Sequence, residues 1–435
     1  MSEEAFVTSD LHLGAGKTGA DSADFNLEDF FQDRELALFL DEIAKPDTTL
    51  FINGDFIDFA QIPPYDLPGP NHLLWHEDAS LEKLEHALAA HRACFDALGR
   101  LLSRGAKLRI LIGNHDLDLV WPRVQARLRA VLGQPSAEAL RFTVGIEEYH
   151  GVVIEHGHSC TPENCPTDVA SFLHSWTDPS GQTRDYLERV WGTDFMLSFY
   201  NELERRHAFA DNVKPMASVM FHGLRAGWVG GRELVRLVVF LKRRGVPWRG
   251  LVSSVLDDHA PPVAQDVLVG IAEDAWRGVV IERVTDDPDF VAEVERALAD
   301  LPVEDRRLVA EREPAAIELE EPDLGHVPGG AVLGLFRDAR EERAAGEWLK
   351  MRAITGVVFG HTHKIVDGGL RGRLFNPGTW IPHLDLRNDA VRQRIKAEGL
   401  TLAMLDDRSL YVTDRRAVHL VPRGDQPTEL ALVEV

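Results

Sequence analysis

Residues 50–58 read LFINGDFID. Leu50, Phe51 and Ile52 form an apolar run too short for a helix and suited to a buried strand. The chain then turns polar at once, through Asn53, Gly54, Asp55 and, three residues on, Asp58. The same grammar recurs on both sides. Ala5–Thr8 leads into Ser9, Asp10, Leu11 and His12, and Leu108–Ile112 into Gly113, Asn114, His115 and Asp116. Val152–Ile154 leads into Glu155, His156, Gly157 and His158; far downstream, Gly356–Phe359 leads into Gly360, His361, Thr362 and His363. Open α/β sheets gather loops and helix N-termini at the carboxyl ends of their strands, so five such clusters can meet at one point despite wide sequence separation.

Helical spacing fills the intervals. Leu27–Ile43 predicts one helix with Asn26 as its N-cap. Leu81–Leu102 predicts another, with Leu84, Leu88, Phe95, Leu98 and Leu102 on one face and Gly105 as its stop. The alternation predicts an α/β protein, a layered core of central β-sheets flanked by helices with a largely parallel inner sheet. From about Cys160 to Lys350 the pattern becomes mainly helical, with loops at 286–288 and 311–330. Strand signals resume at Gly356 and are read again at Leu374–Phe375, Leu400–Leu405 and Leu410–Thr413. The expected organisation is a core domain of residues 1–159 and 351–435, interrupted by a helical insert at 160–350.

The bulk properties narrow the class. The 435 residues are 44% hydrophobic and 27% charged, ordinary for a soluble globular chain and long enough for more than one core. The opening MSEEAFVTSDLHLG has no basic stretch followed by an apolar core, and the apolar run Leu237–Leu241 is far too short to cross a bilayer. Three cysteines, Cys94, Cys160 and Cys165, fit a reducing compartment better than a disulfide scaffold, so a cytoplasmic location is expected. A net charge of −23 repels polyanions and argues against a nucleic-acid partner, although a total says nothing of a local basic channel.

The residue types in the clusters specify chemistry. Carboxylates, imidazoles and an amide oxygen suit Mn, Fe, Zn or similar ions, with no thiolate required. Seven such groups (Asp10, His12, Asp55, Asn114, His156, His361 and His363) are too many for one tetrahedral ion and suit two divalent ions sharing a carboxylate. Two metals about 3.5–4 Å apart can activate a bridging water for in-line displacement at phosphorus. Asp10/His12 and His361/His363 would point the same way from extended backbone. Taken singly, each motif has a plainer reading: Asp-x-His as a helix cap beside a surface histidine, GDxxD as a capped turn, Asn114 as an Asx-turn, the last histidines as polar loop residues. Those readings do not explain why all five clusters follow strands.

In this order, the motifs DLH, GDxxD, GNHD, HGH and GHTH resemble the calcineurin-like metallophosphoesterase superfamily, over roughly residues 5–158 and 355–415. The resemblance implies that Asp10, His12 and His363 hold one metal, that Asn114, His156 and His361 hold the other, and that Asp55 bridges them. It implies that His115 is the catalytic histidine, steadying phosphoryl oxygens or protonating the leaving group. Asp58 and Asp116 are expected behind the ligands, orienting histidines, and His158 either meets substrate or faces water. Asn376-Pro377-Gly378-Thr379 resembles a loop that follows the final histidine pair. The implied activity is that of a phosphatase or phosphodiesterase, in which a metal-bridging hydroxide attacks phosphorus in line on a phosphorylated small molecule or lipid-linked substrate. A nuclease remains an alternative and needs a basic track. So does a pyrophosphohydrolase of the UDP-diacylglucosamine type, similar in its DLHL start and helical insert. That family has arginine where this chain has His115, and HGD where it has His156-Gly157-His158. A non-catalytic scaffold should have lost ligands, and none of the seven is missing.

Three further segments carry motif-like patterns. Gly14–Gly19 matches GxGxxG but is not followed at once by a helix, so it is read as a loop over the metal site. Cys160-x4-Cys165 lacks the second ligand pair of a structural zinc site. Arg225–Arg249 carries seven basic residues and one acidic one, with apolar Leu234, Val235 and Leu237–Leu241 between and Trp228 and Trp248 at its flanks. It is either a peripheral contact to an anionic membrane or lipid-linked phosphate, or a helix packed within the insert whose arginines pair with acids. The packed reading is favoured.

Overall fold

The computed structural model describes residues 3–16, 27–64, 74–160, 164–166, 172–177, 181–188, 190–210, 212–214, 223, 227–243, 287–310, 337–386, 388–424 and 426–435. The chain divides into two compact units: Met1–Leu197 with Arg337–Pro382 and Val412–Val435, and Ser198–Phe336 with His383–Tyr411.

The first unit begins β1 (Glu4–Thr8), α1 (Asp33–Ile43), β2 (Thr48–Asn53), β3 (Leu74–Trp75), α2 (Glu77–Ala90), α3 (Arg92–Ser103) and β4 (Lys107–Ile112). It continues with α4 (Pro122–Val131), β5 (Leu140–Val144), β6 (Ile146–Tyr149), β7 (Val152–Glu155), β8 (Leu173–Thr177) and β9 (Thr183–Glu188). After β10 (Val213–Lys214), which belongs to the second unit, come β11 (Gly356–Val358), β12 (Val366–Gly368) and β13 (Leu374–Asn376). Last are β14 (Leu384–Asp385, second unit), β15 (Arg416–Arg423) and β16 (Gln426–Glu434).

Two sheets build the first unit's core. One has the order β16-β15-β1-β2-β4-β5, with β1, β2, β4 and β5 parallel; the other has the order β12-β13-β11-β7-β6, with β7, β11 and β13 parallel. Because successive side chains of a strand point to opposite faces, each central strand serves two layers. Phe51 joins Ala5, Val7, Leu111, Val152, Ile154, Val358 and Phe375 between the sheets. Its neighbours Leu50 and Ile52 face the helices, packing with Leu36, Phe39 and Leu40 of α1 and with Phe95 and Leu98 of α3. On the far side, Val153, Val357 and Leu374 pack with Ala345 of the helix Arg337–Trp348. Both sheets are thus covered by helices, which is why β2 and β7 read as unbroken apolar runs. Burial contributes roughly 1.5–3 kcal/mol per large apolar side chain. The fold is the layered α/β architecture expected from the sequence.

Several elements differ from expectation. The first helix begins at Asp33, because Glu28 turns back to accept from Phe30 N and Gly16 N and so competes with helix formation over 27–32. Asn26 lies outside the described residues. The single helix read over 81–102 is two, broken at His91, whose buried imidazole is held by Asp33 and Glu28. Within the stretch read as helical, β8 and β9 form an antiparallel sheet with β3. The strands expected at Leu400–Leu405 and Leu410–Thr413 are absent: Leu402–Leu405 is a helical turn capped by Thr401, and Arg408–Leu410 a turn capped by Asp407. The C-terminal strands are instead β15 and β16.

In the second unit the helix Gly231–Arg243 buries Leu234, Val235, Leu237, Val239 and Phe240 and packs on the helices Pro288–Asp300 and Val303–Ala310. Arg243 bonds Asp305 at 2.7 and 2.6 Å, and Arg206 pairs with Glu233 at 2.9 Å. These apolar residues are therefore spent inside the unit rather than offered to a bilayer, as the packed reading required. Residues 244–249 lie outside the described residues. Among the described residues no helix is long and apolar enough to cross a membrane.

Candidate metal centre

Each of the five clusters begins at or just past the end of a parallel strand: Asp10 after β1, Asp55 after β2, Asn114 after β4, His156 after β7, and His361 after β11. The loops are stitched together by backbone bonds. Asp10 N donates to Gly54 O, His12 N to Asp55 O, Leu13 N to Phe56 O, and Gly360 N to His156 O. Asp10, whose oxygens accept from His361 N at 3.0 Å, joins the first loop to the last. Thr379 Oγ1 donates to Asp10 O and Asn376 Nδ2 to Gly360 O, so the Asn376–Thr379 loop braces both.

The backbone corrects one expectation. Asp10, His12, Asp55, His361 and His363 all have left-handed φ, between 48° and 65°. The Asp10/His12 and His361/His363 pairs converge through tight turns and do not lie on extended backbone. Left-handed geometry costs roughly 1–2 kcal/mol per L-residue, about 5–10 kcal/mol over the five residues and comparable to a domain's whole net stability. Strain of this size persists only where the surroundings over-determine it, as at binding and catalytic sites.

Ligand-type atoms within 4.8 Å of one another form three overlapping groups: Asp10, His12 and His363; His12, Asp55 and His115; Asp55, His156 and His361. Asp55 belongs to two of them. Its Oδ2 lies 3.7 Å from His12 Nε2 on one side and 3.0 Å from His156 Nε2 on the other. His12 Nε2 and His363 Nε2 face each other at 3.1 Å, with Asp10 Oδ1 3.3 Å from His363 Nε2. His156 Nδ1 donates to Asn53 O at 2.7 Å, which turns its Nε2 onto the Asp55 carboxylate. Asn114 Oδ1 is buried and accepts no hydrogen bond from the described residues. Both of its chain neighbours touch Asp55: His115 N donates to Asp55 Oδ1 at 3.0 Å, and a Cβ on Gly113 would come within 2.2 Å of that atom. Imidazole and carboxylate ligand atoms crowded this closely, and a buried amide oxygen with no donor among the described residues, are what a cation would relieve. The donor set fits divalent ions of borderline hardness.

The flanking residues divide by role. Asp58 Oδ2 accepts from His12 Nδ1 at 2.8 Å and from His115 Nδ1 at 2.9 Å, so it orients both rings. Asp116 does not stand behind a histidine as expected. It instead accepts from Gly113 N and Phe56 N, fixing two loop backbones. Glu155 is anchored by Ser159 Oγ and Trp348 Nε1. His158 sits beside His156 and His361, with ring centroids 5.4 and 6.5 Å away. Residues 17–19 of the loop read as lying over the site are outside the described residues, as are any contacts they make.

The electrostatics are those of a site short of positive charge. Burial pushes the Asp10 carboxyl up, against the pull of His156 and with the push of Asp55. Burial opposes charge on Asp55 as well, but His156 and His115 hold it well below the usual carboxylate range. Burial works against a proton on His156, yet Asp55 and Asp10 raise it to about 10; His115 is likewise raised to about 9 by Asp58 and Asp55. Imidazolium protons stand where metal charge would act. His158, desolvated and beside His156, is pushed down to about 3 and stays neutral. Desolvation and the Asp55 charge raise Asp116 to about 7.

The family model described as calcineurin-like phosphoesterase matches residues 5–248, more than half of the chain. The chain belongs to the calcineurin-like phosphoesterase family. No curated protein matches it. The family match runs past residue 158, where the recognisable motifs pause, and stops short of His361 and His363. For this calcineurin-like phosphoesterase it is the geometry that brings the last histidine pair to Asp10, His12, Asp55 and His156. Sequence reasoning missed Asn53, whose carbonyl orients His156, and Asn164, whose Nδ2 lies 3.2 Å from His361 Nε2. Asn53 sat in plain view before Gly54; Asn164 lies inside the Cys160-x4-Cys165 pattern, which is read only for its cysteines.

Proposed function

We propose that this chain is a dinuclear-metal phosphoester hydrolase acting on a phosphomono- or diester. Asp10, His12 and His363 would hold one divalent ion, Asn114, His156 and His361 the other, with Asp55 shared. The observation that carries the reading is the position of the Asp55 carboxylate, between His12 Nε2 and His156 Nε2. Bound cations of this kind supply a water of lowered pKa for in-line attack on phosphorus and steady the non-bridging oxygens. The protein's share is positioning and charge. Asp58 fixes His12 and also holds His115 through Nδ1, leaving His115 Nε2 as the ring's other polar atom. That atom would face the phosphoryl group, donating to an oxygen or passing its proton to the leaving alkoxide. Asp116 and the Asn376–Thr379 loop keep the turns from relaxing.

The test is turnover of p-nitrophenyl phosphate and its bis ester by metal-loaded protein. Asp55→Ala and His361→Ala are expected to abolish it, and His115→Ala to keep its metal while slowing turnover. Full activity in Asp55→Ala, or in metal-stripped protein, refutes the proposal. A panel adding DNA, cyclic nucleotides and lipid-linked diphosphates separates ester hydrolase, nuclease and pyrophosphohydrolase.

A further inference from the structure

An imidazole that binds a cation through one ring nitrogen carries a proton on the other, and that proton needs an acceptor; the acceptor fixes the tautomer and aims the ring. Two of the histidines have acceptors on Nδ1: His12 has Asp58, and His156 has the Asn53 carbonyl. Both therefore present Nε2 to the centre. His361 is the opposite case, because its Nε2 lies 3.2 Å from the Asn164 amide. Both side chains are buried, each 6% exposed. Among the described residues Asn164 belongs to a short stretch, 164–166, lying between the HGH cluster and β8.

We propose that Asn164 is a positioning residue of the metal centre: its amide oxygen accepts from His361 Nε2–H, so that His361 binds its cation through Nδ1. This inference rests on the dinuclear reading above. The amide nitrogen now faces the ring. A half-turn of the amide exchanges nitrogen for oxygen without changing its shape, and an amide offers both a donor and an acceptor end. The site thus uses Nε2 of His12 and His156 and Nδ1 of His361, and a segment outside the five metal-binding clusters completes it.

The experiment uses the full chain loaded with zinc. Long-range proton–nitrogen correlation spectra of histidine-labelled protein report each ring's tautomer, with His361→Gln to assign the His361 signals. The expected result is an Nε2–H, Nδ1-metallated His361 ring; an Nδ1–H ring there overturns the proposal. In parallel, zinc affinity is measured by chelator competition. Asn164→Leu, similar in size but without an acceptor, is expected to weaken one of two zinc ions by about 10–100-fold. Asn164→Asp, which keeps an acceptor, is expected to stay close to the parent. Unchanged zinc binding in Asn164→Leu, or an equal loss in Asn164→Asp, also overturns it. Should Asn164→Leu fail to fold, the tautomer measurement on the parent decides alone. A parent that binds no zinc removes the dinuclear reading itself, whereas a parent holding two zinc ions beside an unaffected Asn164→Leu removes only the role of Asn164.

Discussion

Gly54 separates Asn53, whose carbonyl holds His156, from Asp55, and its φ is +80°. A Cβ there would stand 2.3 Å from both Cγ and Nδ1 of His156 and 2.8 Å from its Cβ. The ring has nowhere to go: it is 1% exposed and bonded through Nδ1. Gly54→Ala therefore incurs two costs, roughly 1–2 kcal/mol for a left-handed L-residue and roughly 1–3 kcal/mol for overpacking. The expected loss is about 2–5 kcal/mol, a large part of a domain's net stability. The same collision pushes His156 Nε2 off its 3.0 Å approach to Asp55. Metal should accordingly be lost from the His156/His361 side before the Asp10/His12/His363 side. Guanidinium unfolding with and without added metal measures the first effect, and elemental analysis after dialysis the second. An unfolding free energy within about 0.5 kcal/mol of the parent, with metal content unchanged, would refute the reasoning, since a surface glycine gives effects of that size.

Asp58→Asn removes the charge from the Oδ2 that both imidazoles share and turns its NH2 on a donor, either Ala60 N or the two rings, so kcat is expected to fall about 10–100-fold, with the alkaline limb of the pH profile moving to lower pH as His115 loses the charge that holds its proton; a limb that stays put removes Asp58 from that role. His91 offers a test away from the site. Burial opposes its charge, but hydrogen bonds to Asp33 and Glu28 outweigh burial and raise it from 6.5 to about 9. The stability this adds is fully present below pH 6.5 and is lost as the pH climbs through about 9. Parent and His91→Gln should differ by on the order of 3 kcal/mol at about pH 6, narrowing by about pH 9.5; a constant difference across that window contradicts the ion-pair account. Metal uptake should release protons, because His156 is protonated up to about pH 10 without a cation. Calorimetry in two buffers of different ionisation enthalpy reads this directly, and identical heats would count against it.

What the sequence disclosed was what local pattern controls. The runs at 5–8, 50–52, 108–112, 152–154 and 356–359 announce buried strands, and the polar residues after them mark where the strands end. What it hid depends on distant partners. The left-handed turns at Asp10, His12, His361 and His363 are imposed by bonds between loops hundreds of residues apart, such as His361 N to Asp10. The break at His91 arises because Asp33 and Glu28 hold its ring, which no helical periodicity records. Asp116 looked like its neighbour motifs and proved to serve backbone amides. At 400–413, apolar content suggested strands while the caps Thr401 and Asp407 decided for turns. The true final strands, β15 and β16, pair with each other at the sheet edge, β15 also with β1, where apolar runs are diluted by charge.

The sharing of Asp55 between two ions is most directly tested by counting metal. Protein exposed to manganese or zinc and then dialysed should carry two ions per chain, and Asp55→Ala at most one, with ester hydrolysis lost in step. A parent that holds none, or an Asp55→Ala variant that still holds two, contradicts a centre built around that carboxylate.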